Sequence, residues 1–329
     1  MDLDTLVGAK LALGFPGTDI HDDTVTCLQE TRAQSLVVFS RNFSSPEHFY
    51  QLIQRLTQAV GRRLLVMVDH EGGRVIRLSG GMTRFPDAAT VGRTQQAADV
   101  ERQGRVEAQE LARLGVRVNL APCVDVIEPG CDPVIGDRSY GSDPERVSQL
   151  AVARIRGLQA GGVAACAKHF PGLGAVPRDP HQLLPTIGLD WPAMERSHLK
   201  PFAAAIEAEV AMIMSSHVCY PGLGEAPDLP ATFSPRLIRE LLRKRMRFPG
   251  LIVTDDLEMG ALSPLGTMGE RAVRATEAGH DLLLICSNLE AAHQAATALR
   301  EAYRNGRLSR TELEESATRV AHVREKFLG

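Results

Sequence analysis

Leu64-Leu65-Val66-Met67-Val68-Asp69-His70-Glu71-Gly72-Gly73-Arg74 is an unbroken apolar run that ends abruptly in acid, imidazole and guanidinium. Five apolar residues without alternation suit a strand covered on both faces, the habit of parallel sheets. The same figure recurs at Lys10–Phe15, Ser35–Phe39, Val116–Pro122, Val163–His169, Ala211–Ser216, Leu251–Asp255 and Asp281–Cys286. With Leu64–Asp69 these make eight predicted strands. Helical patterns fall between them, for example over Pro46–Ala59, Asp99–Leu114, Pro144–Ala160 and Ser234–Met246. Eight strand-then-helix units in 329 residues predict an α/β fold, a single (β/α)8 TIM-type barrel with room for irregularity. An open, doubly wound sheet is the alternative. Ser309-Arg310-Thr311-Glu312 matches a capping box and predicts a C-terminal helix running to Phe327. No repeat, low-complexity tract or linker interrupts the pattern, so residues 1–329 read as one domain.

Composition narrows the function classes. Hydrophobic residues are 44% and charged residues 23%, ordinary for a globular protein, and the net charge is −3. No basic field invites nucleic acid or an anionic membrane. No apolar run reaches the roughly 18–20 residues that span a bilayer. The start, Met1-Asp2-Leu3-Asp4, is acidic and lacks a basic segment followed by an apolar one, which makes it a poor export signal. Six scattered cysteines (27, 123, 131, 166, 219 and 286) form no CxxC pair. They read as reduced thiols with packing roles. The expectation is a cytoplasmic monomer with no cofactor, no metal, and a small-molecule partner.

Barrel chemistry lives at the C-terminal ends of the strands. Here those ends carry Ser40-Arg41-Asn42, Asp69 to Arg74, Asp125 with Gly136-Asp137-Arg138, Lys168-His169, Ser215-Ser216-His217 and Asp255-Asp256. Any one of them reads equally as a solvated strand end or a helix cap. Six on one rim describe a polar bowl, in which carboxylates accept from sugar hydroxyls and cations donate to oxygens. Beyond the fifth strand runs Pro171-Gly172-Leu173-Gly174-Ala175-Val176-Pro177-Arg178-Asp179-Pro180-His181. Gly172 and Gly174 offer hinges. Pro180 biases Asp179 toward an extended backbone, and residues two apart in an extended segment share a side. Asp179 and His181 can therefore pair as carboxylate and imidazole, an acid/base arrangement; a plain surface turn is the other reading. Asp255 closes the run Leu251-Ile252-Val253-Thr254, with Asp256 its direct competitor and Glu258 a weaker one. Arg74 reads as a structural partner of Glu71, and His21 as a helix cap.

Three stretches together resemble the family 3 glycoside hydrolases, in the branch of bacterial β-N-acetylhexosaminidases. They are Val68 to Arg77, Lys168-His169-Phe170-Pro171-Gly172 through Asp179-Pro180-His181, and Val253-Thr254-Asp255-Asp256-Leu257-Glu258-Met259. Val134-Ile135-Gly136-Asp137-Arg138-Ser139-Tyr140 is similar to that family too. The resemblance implies Asp255 as catalytic nucleophile, His181 as loop-borne proton donor and Asp179 as its partner. It also implies Asp69, Arg77, Arg138, Lys168 and His169 as contacts to the non-reducing-end sugar. The implied activity is retaining removal of terminal N-acetylglucosamine from muropeptides in peptidoglycan recycling. Two departures stand out: the usual Gly-His-Gly reads Gly172-Leu173-Gly174, and the usual Asp-Ser-His reads Asp179-Pro180-His181. Four alternatives stay open. An imidazole acid does not repel an incoming anion, so phosphate can replace water and give a phosphorylase. Lys168, His169, His217 and Asp255 superficially suit a metal-dependent hydrolase, although no HExxH occurs. Lys168 suits a Schiff-base aldolase, and the lost histidine suits a sugar binder without turnover.

Overall fold

The computed structural model describes residues 1–128, 130, 134–176 and 184–328. Eight parallel strands close into a barrel. They are β1 (Leu11–Leu13), β2 (Ser35–Val38), β3 (Leu65–Val68), β4 (Val116–Asn119), β5 (Ala164–Phe170), β6 (Met212–Ser215), β7 (Leu251–Asp256) and β8 (Leu282–Ile285). Each pairs with its neighbours in sequence, and β8 closes on β1 through Leu11↔Leu283, Ala12↔Leu284 and Leu13↔Ile285. All eight expected strands are present, their ends shifted by at most three residues, and the open sheet is excluded. β1 to β3, β5, β6 and β8 are buried along their whole lengths, as strands covered on both faces are, while β4 leaves Arg117 partly exposed.

Helices ring the barrel. Ala97–Arg113 and Pro144–Ala160 pack closely because Gly157 has no Cβ; one built there would meet the Glu101 carbonyl oxygen at 2.2 Å. The expected helix near Ser234–Met246 winds instead as a π-helix over Arg236–Arg245. The C-terminal helix covers Arg310–Leu328. Only half of the expected capping box forms: the Glu312 N–H donates to Ser309 Oγ at 3.4 Å, while the Glu312 carboxylate pairs with Arg239. His21 does stand at a helix N-terminus, before Asp22–Thr31, but its side chain caps nothing. Among the described residues no helix is long and apolar enough to cross a membrane.

Two irregularities set the rim. β7 gains a residue against β8, where Leu282 faces Val253 but Leu284 faces Asp256. β5 shifts against β6 between Lys168 and Phe170. Bulges of this kind re-aim side chains next to functional sites, and these two fall at Asp255 and at Lys168–His169.

Candidate active site

A cavity of about 270 Å³ opens at the C-terminal ends of the strands, and Asp69, Arg77, Arg138, Lys168, His169 and Asp255 all line it. These six, expected from sequence, are thus brought together. Asp179 and His181, with Pro180 between them, lie outside the described residues.

The floor is a web of opposite charges. Lys168 is 2% exposed, and its Nζ donates to Asp69 Oδ1 at 2.5 Å and bonds Glu71 Oε1 at 2.6 Å. Arg138 grips Glu71 through two parallel bonds, Nε to Oε2 and Nη2 to Oε1, each 2.8 Å. This fork geometry is the strong form of a charged hydrogen bond. Burial works against the Glu71 carboxylate, but Arg138 and Lys168 more than offset it and hold its pKa far below the usual range. Burial also works against the Lys168 ammonium, and Asp69 and Glu71 more than offset that, so its pKa is raised. A lysine held protonated in this way is not the free amine that Schiff-base chemistry needs.

His169 is fixed from both sides. Its Nδ1 lies 2.7 Å from Asp125 Oδ2, and its Nε2 lies 3.3 Å from Arg138 Nη2. Because the arginine can only donate, Nε2 accepts and Nδ1 carries the proton. Asp125 is fully buried and also accepts from the Leu173 N–H at 2.6 Å and the Cys123 thiol at 3.2 Å. Cys123, Asp125 and His169 are the one group among the described residues whose donor atoms cluster closely enough for a metal ion. Those atoms are spent on one another, and Arg138 faces the last nitrogen. His217, the other imidazole of a metal-hydrolase reading, is engaged by Thr232 Oγ1 at 2.7 Å and the Asp256 carbonyl at 2.9 Å.

The strand-seven carboxylates separate by environment. Asp255 lines the cavity and accepts from the Asp256 N–H at 2.8 Å. Burial pushes its pKa up, but His169, His217, the Asp256 N–H and Lys168 pull it below the ordinary value, so it is ionised at neutral pH. Asp256 turns away: its Oδ1 accepts from the backbone N–H groups of Glu258 and Cys286. Burial first, then the Glu258 and Asp255 carboxylates, push its pKa up to about 7. Glu258 is occupied by the Ser287 and Asn288 N–H groups.

Arg77 brings a guanidinium 5.8 Å from the Phe39 ring, and its buried Nε has no acceptor among the described residues. An orphaned donor lining a cavity suits an incoming oxygen. Leu173, where the family motif has histidine, lines the same cavity at 5% exposure.

Three expectations need correction. Arg74 pairs with Asp137 at 2.6 Å, not with Glu71, which belongs to Arg138 and Lys168. Gly172 and Gly174 are not free hinges. A Cβ on Gly172 would meet His198 Cβ at 2.7 Å, and one on Gly174 would meet the Val126 carbonyl at 1.8 Å. Other chain segments press against both, and Gly172, at φ 132, also holds a backbone that favours glycine. Sequence reasoning also missed Glu71 as the hub of the web, and it gave Asp125 no task beyond lying on the rim.

The chain and its fold have known counterparts. The model described as the Glycosyl hydrolase family 3 N terminal domain matches residues 6–323. A β-hexosaminidase of Idiomarina loihiensis is 34% identical over 294 residues, covering 88% of this chain and 87% of its own. A glycoside hydrolase family 3 β-N-acetylglucosaminidase from Paenibacillus sp. str. FPU-7 superposes with a TM-score of 0.96 at 36% identity. That match covers all of this chain but 63% of the Paenibacillus protein. NagZ from Neisseria gonorrhoeae, solved in complex with N-trifluoroacetyl-D-glucosamine, superposes with a TM-score of 0.78 at 28% identity, covering 95% of this chain and 97% of its own.

Proposed function

The chain belongs to glycosyl hydrolase family 3 and is a glycoside hydrolase, and from that premise we propose that it removes terminal β-linked N-acetylglucosamine with retention of configuration. The observation that carries this reading is the sorting of three neighbouring carboxylates. Of the three, Asp255 lines the cavity, its pKa held below the ordinary carboxylate value, while Asp256 and Glu258 are held by backbone N–H groups. Asp255 attacks the anomeric carbon, and His181, oriented by Asp179, protonates the departing oxygen. The covalent glycosyl–enzyme is then hydrolysed by a water that His181 deprotonates. Asp69, Lys168, Arg138, His169 and Arg77 hold the hydroxyls of the sugar, charged groups meeting neutral ones in a web that fixes its own geometry before substrate arrives.

The substrates are N-acetylglucosamine glycosides, among them cytoplasmic muropeptides released in cell-wall turnover. The whole chain acts as one barrel domain and a monomer. The experiment is proton NMR of an aryl N-acetyl-β-glucosaminide during the first turnovers. The β-anomer of N-acetylglucosamine is expected to appear first and then mutarotate. Initial release of the α-anomer contradicts the double displacement, and sugar 1-phosphate formed in phosphate buffer contradicts hydrolysis.

A further inference from the structure

A second polar cavity, of about 360 Å³, opens at the opposite end of the barrel. Lys10 precedes β1, Asp281 precedes β8, and the π-helix and the C-terminal helix supply Arg239, Arg243 and Arg319. The sugar chemistry uses none of them. We propose that this cavity is an anion site for a phosphate group, borne by free phosphate or by a phosphate monoester.

The argument rests on which charges are already spent. Asp281, 1% exposed, gives Oδ2 to Arg243 Nη2 at 2.5 Å and the Ile252 N–H at 2.9 Å, and Oδ1 to Arg319 Nε at 2.9 Å. Both oxygens of Glu312 are taken by Arg239. Arg239 also donates to the Glu277 and Thr276 carbonyls and Arg243 to those of Phe248 and Gly250, so Arg319 is the guanidinium that an entering ligand meets with donors to spare. Arg319 donates only through Nε, so its two terminal nitrogens have no acceptor among the described residues. Lys10, 2% exposed, bonds neutral acceptors: the carbonyls of His280 at 2.6 Å and Asp281 at 3.4 Å, and Ser316 Oγ at 3.1 Å. Burial pulls its pKa down to about 8, with Asp281 opposing, which marks an ammonium short of countercharge. The first turn of the C-terminal helix, at Ser309 and Glu312, faces the same space and adds its positive end. Arg243 and Arg319 share one saturated carboxylate, and the unused planar donors of Arg319, in a cavity also lined by the Lys10 ammonium, match a tetrahedral oxyanion. Glu315, exposed on the cavity's edge, is the carboxylate that opposes such a ligand.

Binding joins the N-terminal ends of β1 and β8 to the last helix, so it raises the melting temperature by mass action. The test is calorimetric titration of the full chain with inorganic phosphate and, separately, glucose 6-phosphate, each paired with a melting curve at constant ionic strength. Arg319→Gln is expected to weaken binding by about tenfold or more, the loss of charge-assisted donors from one guanidinium. Glu315→Gln is expected to tighten it, and Asp255→Asn to leave it unchanged. A tighter ester than phosphate, or the reverse, identifies the source and supports the site either way. Absence of saturable binding by either anion overturns the proposal. So does equal affinity in Arg319→Gln, or competition by N-acetylglucosamine, which places the anion in the sugar cavity.

Discussion

Replacing Glu71 by glutamine keeps the shape of the side chain and removes one charge from the web that floors the cavity. The wild-type carboxylate, 6% exposed, takes two bonds from Arg138 at 2.8 Å and one from Lys168 at 2.6 Å. Those partners are 14% and 2% exposed, so water screens none of the contacts well. After the change two cations share Asp69, which already accepts from Lys168. The new amide also points a donor at one of them. Breaking a buried ion pair from one side costs about 3–5 kcal/mol. Because Asp69 remains, the lower end applies, so the fold is expected to lose about 3 kcal/mol, and the displaced Arg138 and Lys168 to lower kcat/KM by roughly tenfold or more, the loss of a charged hydrogen bond or two. The hydroxyls that the web is proposed to hold are remote from the reacting bond, so the loss is expected in KM more than in kcat. Steady-state kinetics on an aryl N-acetyl-β-glucosaminide reads it, and circular dichroism confirms that the variant is folded. A folded variant with kcat/KM within about threefold of wild type, against the cost expected of a buried pair, refutes the hub role. A fall confined to kcat refutes it equally.

His181→Ala is expected to lose activity steeply on natural glycosides and far less on activated aryl glycosides, whose leaving groups need little protonation; equal losses contradict the acid role. Asp125→Asn turns one of two acceptor oxygens into a donor, where Oδ2 serves His169 Nδ1 and Oδ1 the Leu173 N–H. It is expected to lower kcat/KM by about tenfold or more through a misplaced imidazole, with the His169 ring resonances shifted in NMR; unchanged resonances contradict a positioning role. Asp256 gives a pH signature. Its folded pKa, about 7, lies above the ordinary 3.8, so its contribution to stability is full below about pH 4 and is lost as pH rises through 7. Asp256→Asn keeps an oxygen for the two N–H donors. It is expected to melt higher than wild type at pH 8 and to match it near pH 4, and the opposite order in melting curves contradicts the assignment.

The barrel was legible because most strands are buried on both sides, so their residues run apolar with little alternation, and Leu65-Val66-Met67-Val68 needs no partner in view to be read. The rim was legible in kind, since a polar residue ending such a run has no core to enter. What sequence could not supply was pairing across distance. Glu71 lies three residues from Arg74 in the chain, yet a short hairpin of His70–Gly72 and Val75–Ile76 intervenes. Gly72 and Gly73, at φ 99 and 55, make its turn. Glu71 then meets Arg138, which is 67 positions away, and Arg74 meets Asp137. Gly172 and Gly174 were misread for a related reason: a glycine chosen for freedom and one chosen for close contact look alike until the neighbouring segments are placed. The distinction between Asp255 and Asp256 had the same origin, because the β7 bulge and the N–H groups that claim Asp256 belong to the folded chain.

The most direct measurement is mass-spectrometric mapping of the peptide labelled by a slow fluorinated N-acetylglucosaminyl substrate. The account predicts one glycosyl group, attached to Asp255 and absent from Asp255→Asn. Label on Asp256 or Glu258, or turnover with no covalent intermediate, contradicts it.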